Sequence, residues 1–329
     1  MEPGSRPILV TGATGLVGNN VVRLLLDRGK SVRVLVRRES TMEPFSGLDV
    51  EVCQGDVRDE KALGAAASGI RLIIHSAAIV QVGRTNWERF RAINVEGTRH
   101  VAQAARESGA RMVHVSSTDA LGVGSPEQPA DEDTPFDASI NAPYIVTKHE
   151  AEQVVLAQTQ RGLDAVIVNP SFMLGPWDWK PSSGQMLLEV ARGRGWFAPR
   201  GSFSVADARD VAAATLVAAE RGSCGRRYIL AGENMSYLDA WRLFAHVTGG
   251  RRPWARLGPI ATKAVGWTGD LVGLLTGNEP NFNSGALRIT NYPRNYTSAR
   301  AKAELGYHPR PVEETVRDAW TWFQKYGYA

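Results

Sequence analysis

Thr11-Gly12-Ala13-Thr14-Gly15-Leu16-Val17-Gly18 follows an apolar run, Ile8-Leu9-Val10, and leads into Val17, Val21, Val22, Leu24 and Leu25 at helical spacing. A strand, a glycine-rich turn and a helix in that order let the backbone approach a pyrophosphate closely. The helix N-terminus then offers unpaired N–H groups and the positive end of its dipole to the anion. Gly12 and Gly15 fall nearest the phosphates, and Ala13, Thr14, Leu16 and Val17 complete the turn. Gly18 lets the helix pack closely on the strand, and Gly29 reads as the glycine that ends it. Glycine triplets also occur in turns that bind nothing; the strand before and the helix after set this one apart.

Outward from that turn, short apolar runs alternate with amphipathic segments: Val32 to Val36, Val50-Glu51-Val52, Leu72-Ile73-Ile74, Met112 to Val115, Ala165 to Val168 and, late, Tyr228-Ile229-Leu230. Such spacing predicts a doubly wound α/β fold of the Rossmann type, a parallel sheet of about seven strands joined by crossover helices. After Pro170 the texture changes, and Gly175-Pro176-Trp177-Asp178-Trp179-Lys180-Pro181 marks a less regular region. The expected division is a dinucleotide-binding domain over 1–170 plus approximately 204–232, and a substrate-binding region over approximately 171–203 and 233–329.

Three strand ends carry groups suited to a dinucleotide. The second ends in Val36-Arg37-Arg38, where an arginine suits the 2′-phosphate of NADP(H) better than the ribose hydroxyls of NAD(H), which an acidic residue usually holds. The bland alternative is a solvated arginine pair. In Gly55-Asp56-Val57-Arg58-Asp59, Asp56 can meet the adenine amino edge or serve as a turn or N-cap residue. His75-Ser76-Ala77-Ala78 closes the fourth strand; Ala77 and Ala78 leave room for the cofactor, and His75 reads as a packed strand histidine.

Tyr144-Ile145-Val146-Thr147-Lys148 heads a helical pattern, and a spacing of four puts Tyr144 and Lys148 on one face. A free phenol ionises near pH ~10, and an adjacent ammonium lowers that value, so Tyr144 can exchange a proton with a substrate oxygen. Lys148 can also bond the nicotinamide ribose. At the end of the fifth strand, Val115-Ser116-Ser117-Thr118 offers hydroxyls where open α/β sheets bind ligands. Ser117 is the choice to orient the substrate oxygen, Thr118 the second choice, and Ser116 a cofactor contact. Asn94, in Asn94-Val95-Glu96-Gly97-Thr98, is either a helix cap or a polar support of the site.

Composition narrows the class. The 329 residues are 43% hydrophobic and 22% charged, with a net charge of +4 spread without a basic block, so nucleic acid is not an expected partner. Cys53 and Cys224 lie far apart, which argues against a disulfide scaffold or zinc site and suits a cytoplasmic setting; no metal is expected. No apolar leader precedes the first strand. Pro259 to Thr276 is the most apolar late stretch, but Lys263 and Asp270 interrupt it. An amphipathic helix beside the active site fits it better than a membrane contact, and no stable membrane insertion is expected.

Taken as a set, TGATGLVG at 11–18, GDVRD at 55–59, HSAA at 75–78, NVEGT at 94–98, VSST at 115–118, YIVTK at 144–148 and NPSFMLGP at 169–176 resemble the extended short-chain dehydrogenase/reductase superfamily, the NAD-dependent epimerase/dehydratase family. Further stretches, including RRYILAGEN and AELGYHPRPVEETVRDAWTWF, are similar to its dihydroflavonol 4-reductase-like and hopanoid-associated sugar epimerase branch, extending the likeness over nearly the whole chain. The resemblance implies Ser117, Tyr144 and Lys148 as catalytic groups, Asp56 and Val57 in the adenine pocket, and Pro170 and Ser171 beside the nicotinamide. One departure is Val205-Ala206-Asp207-Ala208-Arg209-Asp210-Val211, where relatives often carry a more acidic run. Dimers through two long helices flanking the sheet are common in the superfamily.

Three functions compete. The favoured one is an NADP(H)-dependent reductase of a ketone or aldehyde, with Tyr144 as proton donor or acceptor. The second is a sugar or nucleotide-sugar epimerase or dehydratase, which uses the same hydride chemistry without net cofactor consumption. The third is an NADP-binding sensor without chemistry, disfavoured because tyrosine and lysine are both present. Trp177, Trp179 and Trp196 suit either an aromatic pocket or simple packing.

Overall fold

The computed structural model describes residues 6–80, 86–276, 287 and 289–329. The first half runs β1 (Ile8–Thr11), α1 (Leu16–Asp27), β2 (Val32–Val36), β3 (Glu51–Gln54), α2 (Glu60–Ala67), β4 (Leu72–His75), α3 (Trp87–Phe90), α4 (Gly97–Ser108), β5 (Arg111–Val115), α5 (Pro143–Thr159) and β6 (Ala165–Pro170). Beyond it come β7 (Phe172–Leu174), α6 (Gly184–Ala191), β8 (Phe197–Ala198), β9 (Ser202–Asp207), α7 (Ala208–Arg221), β10 (Arg227–Leu230), β11 (Glu233–Ser236), α8 (Tyr237–Thr248), β12 (Ala255–Arg256) and α9 (Pro259–Thr276). Helices Ala299–Leu305 and Val312–Lys325 close the described chain.

The seven apolar runs become seven strands of one sheet, ordered β10-β6-β5-β4-β1-β2-β3, with every pairing parallel. This is the Rossmann-type α/β fold, and the reversal of winding between β1 and β4 opens the crevice in which such sheets bind ligands. Central strands are buried on both faces, which is why they read as continuous Val/Ile runs. The edge strand β3 is largely exposed, so its pattern is diluted; it occupies Glu51–Gln54 rather than the expected Val50 to Val52. Gly29, at φ 67°, ends α1 as read.

One apolar layer joins α1 and α7 to the sheet through Val17, Val21, Val22, Val211 and Leu216. A second joins α2, α4 and α5 to the opposite face through Leu63, Val101, Ala105 and Val155. The small sheet β11-β9-β7 belongs to a third core with α6, α8 and the helix Val312–Lys325. The chain thus crosses between cores at the β9–α7 junction and again after β10. Asp207, fully buried, caps α7 by accepting from the Arg209 backbone N–H at 2.8 Å, while Arg209 and Arg310 surround its carboxylate. The departure at 205–211 therefore builds an ion-pair cluster that pins the crossing, with Asp318 and Asp210 completing it.

Candidate active site

Gly12, at φ 69°, turns directly against the strand beside it: a Cβ there would lie 2.5 Å from the Ala77 backbone nitrogen. A Cβ on Gly18 would meet the Gly12 carbonyl oxygen at 2.3 Å, so the protein itself requires these two glycines. Gly15 differs. Its nearest neighbour would be 3.3 Å away, it is exposed, and it leaves the N-terminus of α1 with no side-chain cap and no acidic residue in the first turn. Buried Ala13 is fixed by Asn19, whose Nδ2 donates to its carbonyl, and Val17 anchors the helix in the core; Thr14 and Leu16 are partly accessible.

At the end of β2, Arg37 and Arg38 are exposed, and Arg37 pairs with Glu39 at 3.3 Å. Asp56 accepts from the Arg58 backbone and guanidinium at 2.9 Å, which holds its carboxyl below the usual range. It is a turn residue; the cap of α2 is Asp59. Val57 is buried against Gly97. Ala77 and Ala78 follow β4 and stay partly accessible. His75 is packed as expected, between the Thr11 and Thr98 hydroxyls at 2.7 and 3.0 Å, and burial with nearby Lys148 pushes it down to about 3.

Asn94 opens no helix. It sits within a π-helical stretch, Arg91–Glu96, that joins α3 to α4 without interruption. Its Oδ1 accepts from the Ile79 N–H at 2.8 Å, and its Nδ2 donates to the Ile79 carbonyl and, at 3.1 Å, to Thr147 Oγ1. Asn94 thus clamps the chain after β4 to α5, and its side chain is spent on protein partners. Widened helical turns of this kind collect at functional sites.

Ser117 and Tyr144 come together: the serine hydroxyl is near enough to the phenol to bear on its pKa. Ser117 Oγ also accepts from the Asp119 N–H at 3.1 Å, capping the short 3-10 turn Thr118–Ala120. Thr118 is buried in that turn. Burial raises the Tyr144 pKa above its ordinary value, and the Ser117 hydroxyl opposes this. This corrects the expectation that the Lys148 ammonium lowers the Tyr144 value: the net shift is upward, and burial is its main cause. Lys148 Nζ, itself buried, donates to the Val115 carbonyl at 2.9 Å, and desolvation lowers its pKa to about 8 while Glu152 opposes.

Glu152 and Asn169 escaped notice in the sequence. Glu152 lies one turn past Lys148 on α5, wholly buried, and takes Arg227 Nε at 2.7 Å and Asn169 Nδ2. The same Asn169 nitrogen donates to the Ser117 carbonyl at 2.9 Å. The i, i+4 spacing of Tyr144, Lys148 and Glu152 was the one available signal, since it aligns all three on one helix face.

Two orphaned hydroxyls test the fit of a dinucleotide. Ser116 Oγ, after β5, and Ser171 Oγ, after β6, are buried without a hydrogen-bond partner. Buried polar atoms ordinarily have partners. Unpaired hydroxyls along the strand ends, Pro170 beside one of them, and an uncapped α1 suit a polar ligand spread across the crevice. Trp177 and Trp179, by contrast, meet Trp322 and Tyr326 mostly edge-on and are packing residues; Trp196 lies apart, half-exposed.

Residues 8–231 match the NAD dependent epimerase/dehydratase family. The chain is 35% identical over 326 residues to sterol demethylase protein B of Methylococcus capsulatus, spanning 97% of this chain and 98% of that one. A Synechocystis protein provisionally named dihydroflavonol 4-reductase is 34% identical, over 97% and 95% of the two chains. A Stigmatella aurantiaca ketoreductase of a farnesylated dihydroquinoline oxide is 32% identical, over 94% of each.

Proposed function

We propose, for a chain that belongs to the NAD-dependent epimerase/dehydratase family of extended short-chain dehydrogenase/reductases, that it reduces a ketone or aldehyde to an alcohol with NADPH. The carrying observation is the convergence of Tyr144, Lys148 and Ser117 at the ends of β5 and α5, with the phenol held protonated by burial. A phenol in that state is a proton donor suited to a carbonyl oxygen. The nicotinamide supplies the hydride when bound. Ser117 would hold the substrate oxygen and Tyr144 give it a proton, while Lys148, held at the Val115 carbonyl, would bond the nicotinamide ribose.

The Gly12 to Val17 turn would hold the pyrophosphate, Asp56 and Val57 the adenine end, and Ser116, Pro170 and Ser171 the nicotinamide end, with Ala77 and Ala78 beneath. Asn94 would serve the cofactor through the Ile79 backbone it fixes. Exposed Arg37 and Arg38 support NADPH over NADH, the 2′-phosphate taking Arg37 from Glu39. The substrate region would comprise approximately 171–203 and 233–329. The names of the three relatives (sterol, dihydroflavonol, farnesylated quinoline) support a bulky polycyclic substrate rather than a nucleotide sugar.

Purified protein with NADPH and panels of polycyclic ketones and nucleotide sugars tests this reading. Stoichiometric NADPH loss with a ketone is expected; isomerisation of a sugar without NADPH loss would make it an epimerase. Tyr144→Phe should lower turnover by about 10²–10⁴-fold while NADPH still binds. Arg37→Ala should raise the NADPH KM on the order of tenfold and leave that of NADH nearly unchanged. Equal effects on both would remove the NADPH assignment.

A further inference from the structure

Helix α9 is turned inside out. Ile260, Trp267, Leu271 and Leu274 are 86%, 73%, 56% and 82% exposed. Their spacing puts all four within about 60° of the helix surface, at 100° per residue. The inward face carries Thr262, Val265, Gly266 and Gly269, small or β-branched residues that are buried or half-buried. A helix packed only for the protein's own stability would put its large apolar residues inward. One that must meet a second apolar phase would be built as α9 is.

The surroundings say which phase. Between Asp239 and Asp270 there is no carboxylate, while Arg242, Arg251, Arg252, Arg256 and Lys263 all fall in that interval. All five are exposed. Lys263 lies on the flank of the apolar stripe. Strand β12, just before α9, pairs with β8, and the Trp254 N–H donates to the Trp196 carbonyl at 2.9 Å. Two exposed indoles are thereby brought together, with the Arg251 guanidinium 4.3 and 5.5 Å from their ring centroids. An apolar stripe, exposed tryptophans shortly before it in the chain and a mainly cationic border, with Asp270 the one carboxylate on α9, are the composition of a helix lying in a lipid interface. A stable protein partner would need about 800 Å² from each side, more than a four-residue stripe offers. Among the described residues no helix is long and apolar enough to cross a membrane, so the contact would be peripheral.

We propose that α9 docks the protein on an anionic lipid bilayer, with Ile260, Trp267, Leu271 and Leu274 in the outer acyl layer and Arg251, Arg252, Arg256 and Lys263 among the headgroups. Docking of this kind is reversible and needs both the apolar stripe and the cations. It is independent of which reaction the active site performs.

Flotation of the full-length protein with vesicles tests it. Vesicles of mixed phosphatidylglycerol and phosphatidylcholine should bind on the order of tenfold more protein than pure phosphatidylcholine, and the excess should fall with added salt. Trp267→Glu with Leu271→Glu should abolish flotation, and Arg251→Glu with Arg252→Glu should abolish the preference for anionic lipid. All four side chains are exposed, so circular dichroism melts should not change; if the glutamate pair does perturb folding, Ile260→Ser with Leu274→Ser takes its place. Absence of wild-type flotation, or flotation indifferent to the stripe variants, overturns the proposal. So does a wild-type dimer that the stripe variants convert to monomer, because the stripe would then meet a second copy.

Discussion

Glu152, on α5, and Asp178, in the loop after β7, are buried carboxylic acids on opposite sides of the crossing after β6. Their surroundings differ in kind. Glu152 is met by Arg227 from β10 and Asn169 from β6, and it faces Lys148. Asp178 lies against Gly184, where a Cβ would meet its Oδ2 at 2.5 Å, pairs with no cation among the described residues, and keeps Oδ2 unpartnered between Trp177 and Trp179 in the chain. Desolvation pushes it up to about 7. On the α5 side, buried charge is matched by charge from another strand, and the match holds Lys148 and Ser117 in place. On the aromatic side, buried charge is avoided by keeping the acid neutral.

Neutralising each acid should separate the two designs most widely. Glu152→Gln leaves Arg227 partly buried without its anion and removes the carboxylate that supports Lys148. The expected cost is about 3 kcal/mol or more in urea unfolding, with the Lys148 pKa falling below its present value near 8. Asp178→Asn near pH 4, well below the folded value of about 7, replaces a neutral group by a neutral one of equal size and should cost under about 1 kcal/mol. Equal losses in the two variants would erase the contrast.

The pH dependence sharpens it. Folded Asp178 binds its proton more tightly than an unfolded aspartate with its ordinary value of 3.8. Its stabilising contribution is therefore complete below the unfolded value and is lost as pH rises towards about 7. Thermal melts of wild type and Asp178→Asn across that window should converge and then cross, the Asn variant becoming the more stable before pH reaches about 7. The swing should be on the order of a few kcal/mol, since burial is nearly complete. Parallel curves would mean that the carboxyl ionises freely in the fold.

The same contrast governs what could be read from sequence. The strands of the main sheet were legible because full burial forces continuous Val, Ile and Leu runs, and the glycine turn because only glycine fits at positions 12 and 18. Tyr144 and Lys148 were legible as neighbours on a helix, since spacing alone decides that. The Lys148 bond to the Val115 carbonyl was not, because it depends on how closely α5 settles on β5. Neither was the Asn94 clamp, whose partner Ile79 is fifteen residues away and whose helix widens into a π turn. Beyond Pro170 the strands are as short as two residues and the pairings cross long stretches of chain, as between β9 and β11, so periodicity had little to register.

The smallest effect concerns the seam between the two regions. Arg23 on α1 donates to Asn19 Oδ1 and to the Pro44 carbonyl, and its guanidinium carbon lies 3.4 Å from the Trp177 ring centroid. Trp177 is the one non-glycine residue with positive φ among the described residues, at 71°. Asn20, on the next position of α1, donates to the Pro176 carbonyl at 3.0 Å. The helix that carries the glycine turn is therefore tied to the aromatic cluster by a stacked cation and one amide bond. A double-mutant cycle of Arg23→Met and Trp177→Phe should give a coupling of about 0.5–1 kcal/mol in urea unfolding, the range of a half-buried cation–π pair. The single Arg23→Met loss should be larger than that coupling, because the Pro44 and Asn19 bonds go with it. A coupling near zero would leave Asn20 as the tie across the seam and would make the stacking of Arg23 on Trp177 a by-product of the strained backbone rather than its reason.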